Sequence, residues 1–155
     1  MTAPQILDGT QIAKKYLECA AKEIEKLKPA RLTLATVQVG ASKDTELYFK
    51  YLEGLLGQIG IKLAAHSFTA SAKEEEVIAE IVRLNRDPQV TGIMIFSPLP
   101  KTINAANLFD NIAMSKDVEG RTFMKSHFGV ISPTANAVLT LLEATHCDIA
   151  GKEAV

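Results

Sequence analysis

The sequence predicts a three-layer α/β/α domain built on a mainly parallel sheet. Three observations carry that expectation. Segments of helical hydrophobic period alternate along the chain with short β-branched runs, and the spacers between runs are long enough for crossover helices. Two of the runs read as buried strands and the one between them as a weaker strand. The chain has 155 residues, 47% of them hydrophobic, enough for one buried core without disulfides or metals.

The elements follow in order. From Gln11 to Leu27 the apolar residues Ile12, Leu17, Ala20, Ala21, Ile24 and Leu27 recur at helical spacing, and Lys28–Pro29 stops the run. "LTLATVQVG", Leu32 to Gly40, is a first buried strand closed by glycine. "TELYFKYLEGLLGQIG", Thr45 to Gly60, reads as a helix with a broad apolar stripe of Leu47, Tyr48, Tyr51, Leu52, Leu55, Leu56 and Ile59. "IKLAAHSF" is a second, weaker strand. Ser71 followed by Glu74 has the form of a capping box for a third helix, whose buried face is Val77, Ile78, Ile81, Val82 and Leu84 and which ends between Asn85 and Pro88. "TGIMIF", Thr91 to Phe96, is a third buried strand leading into the proline-fixed "SPLPK". A short helix is expected around Asn104 to Asn111 and a last one from Ala135 to Ala144, before "GKEAV", which reads as the beginning of a strand.

Charge and composition exclude several classes of function. Basic and acidic residues number 17 and 18, for a net charge of −1, so no global field favours nucleic acid or an anionic membrane, and neither is an expected partner. The opening "MTAPQILDGTQIA" lacks the basic and apolar segments of a secretory signal, and no stretch approaches the roughly 20 apolar residues that span a bilayer, so a soluble, cytoplasmic protein is expected. Cys19 and Cys147 fit buried or idle thiols. His66, His127 and His146 are scattered, and His146 beside Cys147 is not a spaced ligand set, so no metal is expected. Glu74, Glu75 and Glu76 open a helix, where they meet the positive end of its dipole.

In parallel sheets ligands gather at the carboxyl ends of strands. That rule selects Gly40 to Tyr48, Ser97 to Lys101 and the "KDVEG" loop. On residue chemistry alone, Tyr48, Leu52 and Phe96 fit a core, Glu119 fits a solvated loop, and "SPLP" fits a rigid turn.

Four stretches change that reading. "ILDGTQIA", "VQVGASKDTELYFKYLEGLLGQIGI", "LNRDPQVTGIMIFSPLPK" and "SKDVEG" together resemble, in order and spacing, the N-terminal folate-binding (catalytic) domain of the methylenetetrahydrofolate dehydrogenase/cyclohydrolase family, from about Ile6 to Val155. The resemblance implies a divergent member of a two-domain enzyme family of one-carbon metabolism. Its members oxidise 5,10-methylenetetrahydrofolate with a nicotinamide cofactor, then hydrolyse the methenyl product to 10-formyltetrahydrofolate. The expected organisation is a substrate domain over residues 1–150, with 151–155 opening a dinucleotide-binding domain. NAD or NADP would belong to the full-length protein and would not be bound by this segment alone, since no G-x-G-x-x-G stands between a strand and a helix. Homodimerisation, where the family shows it, runs mostly through that cofactor domain.

The resemblance also implies site residues. Tyr48 takes the place of a catalytic tyrosine, with Leu52, Phe96, Glu119 and the tripeptide Pro98, Leu99 and Pro100 as further substrate contacts. Three of these depart from the family pattern. The family places a lysine four residues after the tyrosine, on the same helical face, where this chain has Leu52. Leucine has no titratable proton with which to serve cyclohydrolase chemistry. The family's glutamine before the PLP tripeptide is Phe96, the second aspartate of its KDVDG loop is Glu119, and its later PCTP segment is "SPTA" at Ser132 to Ala135. Loss of the lysine and the glutamine together avoids stranding one buried polar group. The expectation is therefore a dehydrogenase domain with its cyclohydrolase step weakened or lost, the alternative being a noncatalytic binding or assembly module on the same fold.

Overall fold

The computed structural model describes residues 8–40, 42–121, 130–145, 150–151 and 153. Its elements are α1 (Gly9–Lys26), β1 (Leu32–Val39), α2 (Lys43–Gln58), β2 (Ile61–Phe68), α3 (Glu74–Arg86), β3 (Gly92–Ile95), α4 (Ala105–Asp110), a 3-10 turn (Met114–Lys116) and α5 (Pro133–Glu143).

The strands form one parallel sheet in the order β2-β1-β3. Leu32 stands opposite Ile61 and Val39 opposite Phe68 on one side of β1, while Leu34 stands opposite Gly92 and Val37 opposite Ile95 on the other. A central parallel strand is covered on both faces, and β1 accordingly carries apolar residues on both, with Gln38 and the threonines Thr33 and Thr36 between them. Ala35, Val37 and Val39 pack on one face into a core with Val77, Ile81 and Leu84 of α3 and Leu108 and Phe109 of α4. The alternate positions meet α2: the Gln38 amide donates to Thr45 Oγ1 at 2.7 Å, and Leu34 shares an apolar depression with Leu56. Helices on both sides of a parallel sheet give the expected three layers. α1 and α5 lie against each other, with the Tyr16 and Thr140 hydroxyls 3.1 Å apart.

Capping explains where the helices start, and it moves two of the expected boundaries. Ser42 Oγ accepts the Thr45 N–H and the Ser42 N–H donates to Thr45 Oγ1, both at 3.1 Å, so α2 begins at Lys43. The box expected at Ser71 and Glu74 does not form. The Ser71 hydroxyl lies 3.1 Å from that of Thr69, and Glu76 accepts the Lys73 N–H at 3.2 Å, so the cap of α3 sits at Lys73. Glu74 instead crosses to α4, accepting the Asn104 N–H and the Asn107 side-chain N–H at 2.6 Å each. α5 starts at Pro133 rather than Ala135, since proline's missing N–H costs nothing in a first turn.

The stripe on α2 is only partly buried. Leu52, Leu55, Leu56 and Ile59 are half-buried, but Leu47, Tyr48 and Tyr51 remain 66%, 45% and 62% exposed, so the first half of the helix faces open space at the sheet's carboxyl edge. Cys19 is an exposed free thiol rather than a buried one. His66 Nδ1 lies 2.7 Å from Glu80, which Arg83 also engages. His127, His146, Cys147 and most of "GKEAV" lie outside the described residues. Among the described residues, no helix is long and apolar enough to cross a membrane.

Candidate active-site cleft

The loop carrying Glu119 is fixed by its neighbours. Lys116 Nζ donates to the Leu84 and Asp87 carbonyls at 2.7 and 2.6 Å, tying the loop to the end of α3. Asp117 is buried, pairs with Ile93 as a parallel bridge, and accepts the Glu119 N–H at 3.1 Å. Gly120 has φ +69°, and a Cβ there would stand 2.2 Å from the Val130 carbonyl oxygen, so no other residue fits. Glu119 is thereby turned back onto β3, where its Oε2 accepts the Ile95 N–H at 3.4 Å. Burial pushes its carboxyl up from the ordinary value; the Ile95 hydrogen bond and the Arg121 charge oppose that rise, and the charge of Asp117 adds to it.

The facing wall comes from α2 and the end of β3. The Phe96 N–H donates to the Val37 carbonyl at 2.9 Å, which extends the strand pairing by a residue and seats a ring only 4% exposed. Tyr48 leans on that ring at 5.5 Å between centroids with 52° between planes, Phe49 meets it at 6.5 Å, and Tyr51 stacks outside Tyr48 at 6.5 Å. Aromatic pairs at these separations are mutually stabilising and hold Tyr48 at the mouth.

Between the two walls is a cleft with two lobes. One, of about 400 Å³, reaches from Asp44 and Thr45 past Phe96 to Ser97 and Pro98. The other, of about 660 Å³, extends past Val118 and Gly120 to Ser132, Pro133 and Thr134. Tyr48, Met94, Glu119 and Arg121 border both. The cleft offers aromatic faces, one half-buried acceptor-only carboxylate and one guanidinium, a set suited to a flat heterocycle with polar edges.

Of the residues expected at the site, the fold brings Tyr48, Phe96, Pro98 and Glu119 together. Leu52 is half-buried a turn further along α2 and does not border the cleft. Leu99 packs on the hydrophobic core, and Pro100 approaches Gly40, so neither lines it either. A rigid turn after a strand presents only some of its residues forward, and here Ser97 and Pro98 are the ones. Asp44 falls within the selected Gly40 to Tyr48 stretch, though not singled out there, while Met94 and Arg121 lie outside the selected stretches. Met94 has a signal in the strand that leads into the selected Ser97 to Lys101. Arg121 has none, because what holds it is the ring of Phe109, 3.8 Å from its guanidinium carbon and contributed by another element.

Comparison with known proteins gives the site its context. The family model for the tetrahydrofolate dehydrogenase/cyclohydrolase catalytic domain matches residues 7–119. The bifunctional protein FolD of Geobacillus thermodenitrificans is 34% identical over 100% of this chain and 57% of its own length. The bifunctional FolD methylenetetrahydrofolate dehydrogenase/cyclohydrolase of Campylobacter jejuni superimposes with a TM-score of 0.88 at 28% identity, covering 97% of this chain and 56% of that one. The 5,10-methylenetetrahydrofolate dehydrogenase of the silkworm Bombyx mori gives 0.88 at 26% identity, over 97% and 55%. The chain thus spans a little over half the length of these relatives. With the match covering most of its residues and the same fold carried through to α5, the chain belongs to the tetrahydrofolate dehydrogenase/cyclohydrolase family, as its catalytic domain.

Proposed function

We propose that this domain is the folate-binding half of an enzyme that oxidises 5,10-methylenetetrahydrofolate to 5,10-methenyltetrahydrofolate with NAD or NADP, and that its cyclohydrolase step is weakened or lost. The observation that carries the reading is the joining of Tyr48, Phe96 and Glu119 around one cleft at the carboxyl edge of the sheet. A pterin presents an aromatic face to Tyr48 and adjacent N–H groups to the Glu119 carboxylate, which can accept both.

Hydrolysis of the methenyl group needs proton transfers near the bridge carbon, and Leu52 and Phe96 supply no titratable group. Hydride transfer makes a smaller demand on the domain, which must hold the substrate still with its bridge carbon facing a nicotinamide. That ring belongs to a companion dinucleotide-binding domain. The glycine-bearing β1–α2 turn does not fit a pyrophosphate: the Thr45 N–H at the helix start is already taken by Ser42, and the Cβ position of Gly40 lies 3.3 Å from Ala70.

The test is calorimetric titration with tetrahydrofolate and a stable methenyl analogue, repeated on Tyr48→Phe and Glu119→Ala. Saturable binding is expected, weakened about tenfold or more by Glu119→Ala, the size of a lost hydrogen bond to a charged group. Affinity unmoved by Glu119→Ala would remove that carboxylate from the site. In a two-domain form, dehydrogenase turnover without matching methenyl hydrolysis is expected; equal rates of both would overturn the second half of the proposal.

A further inference from the structure

We propose that Arg121 is a specificity residue that, beside Glu119, reads the 4-oxo group of a 2-amino-4-oxo-pyrimidine ring, so that the pair selects oxo-pterins over their 4-amino counterparts. The inference rests on the folate reading above and adds a residue and a chemical discrimination to it.

Arg121 borders both lobes of the cleft. Its guanidinium lies over the ring of Phe109, a buried residue of α4, at 3.8 Å from the centroid. A planar fork resting on a fixed aromatic face is oriented before any ligand arrives, unlike an arginine sweeping through solvent. Gly120, between the two charged residues, is locked at φ +69° against the backbone of Val130 to Ser132, so both side chains spring from one rigid turn. The charge of Arg121 acts on the Glu119 carboxylate, which places the donor and the acceptor in one electrostatic neighbourhood.

The chemistry of the ring edge does the rest. A 2-amino-4-oxo-pyrimidine presents an acceptor at O4, a donor at N3–H and a donor at the 2-amino group. A carboxylate accepts only, so Glu119 can satisfy the two donors and leaves O4 needing a donor. The charged residues bordering the lobes are Asp44, Glu119 and Arg121, and among these described residues Arg121 alone donates. A 4-amino ring reverses two of the three positions, setting N–H against the guanidinium and a bare N3 lone pair against the carboxylate. Buried polar groups left so mismatched discriminate far more strongly than a lost apolar contact.

The matched probes are tetrahydrofolate and tetrahydroaminopterin, which differ only at the 4-position. Titrated against the wild-type chain, tetrahydrofolate should bind more tightly. Arg121→Gln, which removes the charge and can accept as well as donate, should compress that ratio about tenfold or more, as expected for loss of one charged hydrogen bond. Arg121→Lys retains a donor and should compress it less. Equal wild-type affinity for the two ligands, or an unchanged ratio in a normally melting Arg121→Gln, would overturn the role of Arg121 while leaving folate binding in place. A wild-type chain that bound neither would overturn both.

Discussion

Glu119 is held half-buried with one oxygen on the Ile95 N–H, and its position sets a conflict between stability and binding. Because burial keeps the folded-state carboxyl above its ordinary range, the stability associated with its proton is fully present below that range and is lost as pH rises through the raised value. Glu119→Gln carries no charge at any pH. We therefore expect it to match the wild type in acid and to gain on it in stability as the medium approaches neutrality, read from denaturant midpoints across the weakly acidic range. A difference that stays constant with pH would mean that the carboxylate is not strained by burial. Folate should follow the opposite course, binding the ionised carboxylate and so weakening on acidification sooner than an ordinary carboxylate would dictate. Arg121 and Asp117 modulate the same group in opposite senses, which makes this short loop the electrostatic centre of the cleft.

At the scale of elements, the loop owes its position to a lysine that does not border the cleft. Lys116 caps the end of α3 through the Leu84 and Asp87 carbonyls, placing a positive charge where the helix dipole is negative. Lys116→Met keeps the stem and removes both bonds. The expected loss is about 1–3 kcal/mol, measured as a shifted urea midpoint at unchanged slope, with folate affinity falling because Glu119 is no longer held against β3. Unchanged stability would mean the two carbonyls are equally well served by water. The limits of β1 were legible in the sequence because a β-branched run closed by glycine has few other uses, whereas β2, with one β-branched residue, was marked mainly by the glycine before it. The start of α3 was misread because Ser71 and Glu74 carry the spacing of a capping box while Glu74 is engaged by α4, a tertiary partner that no local pattern encodes. Likewise the α2 stripe was legible as apolar, but periodicity says nothing of what covers it: Tyr48 borders an open cleft and Tyr51 is exposed outside it. Leu99 and Pro100, which the resemblance groups with Pro98, face the core and Gly40 instead of the cleft, a separation that no sequence motif encodes.

Across the whole molecule, two of the positions where the resemblance expects polar residues sit on different elements, Leu52 on α2 and Phe96 after β3, and any joint action of the two runs through the fold. Phe96 is buried against Tyr48 and Phe49, so at the place where the resemblance expects a glutamine this chain has packing that supports the cleft wall. Leu52→Lys by itself would place an ammonium at a half-buried position next to an aromatic cluster, without the amide that resemblance to the family assigns as its partner. We expect that substitution to leave methenyl hydrolysis unrestored in a two-domain form and to destabilise the domain. Phe96→Gln by itself should cost about 3 kcal/mol or more, since it removes a buried ring from two aromatic contacts and buries an amide in its place. The two changes together should cost less than the sum of the separate losses, because the amide and the ammonium can then satisfy each other, and any return of hydrolysis should appear only in the double variant. Strict additivity in stability, or hydrolysis restored by Leu52→Lys alone, would show that Leu52 and Phe96 are independent replacements rather than one coupled change.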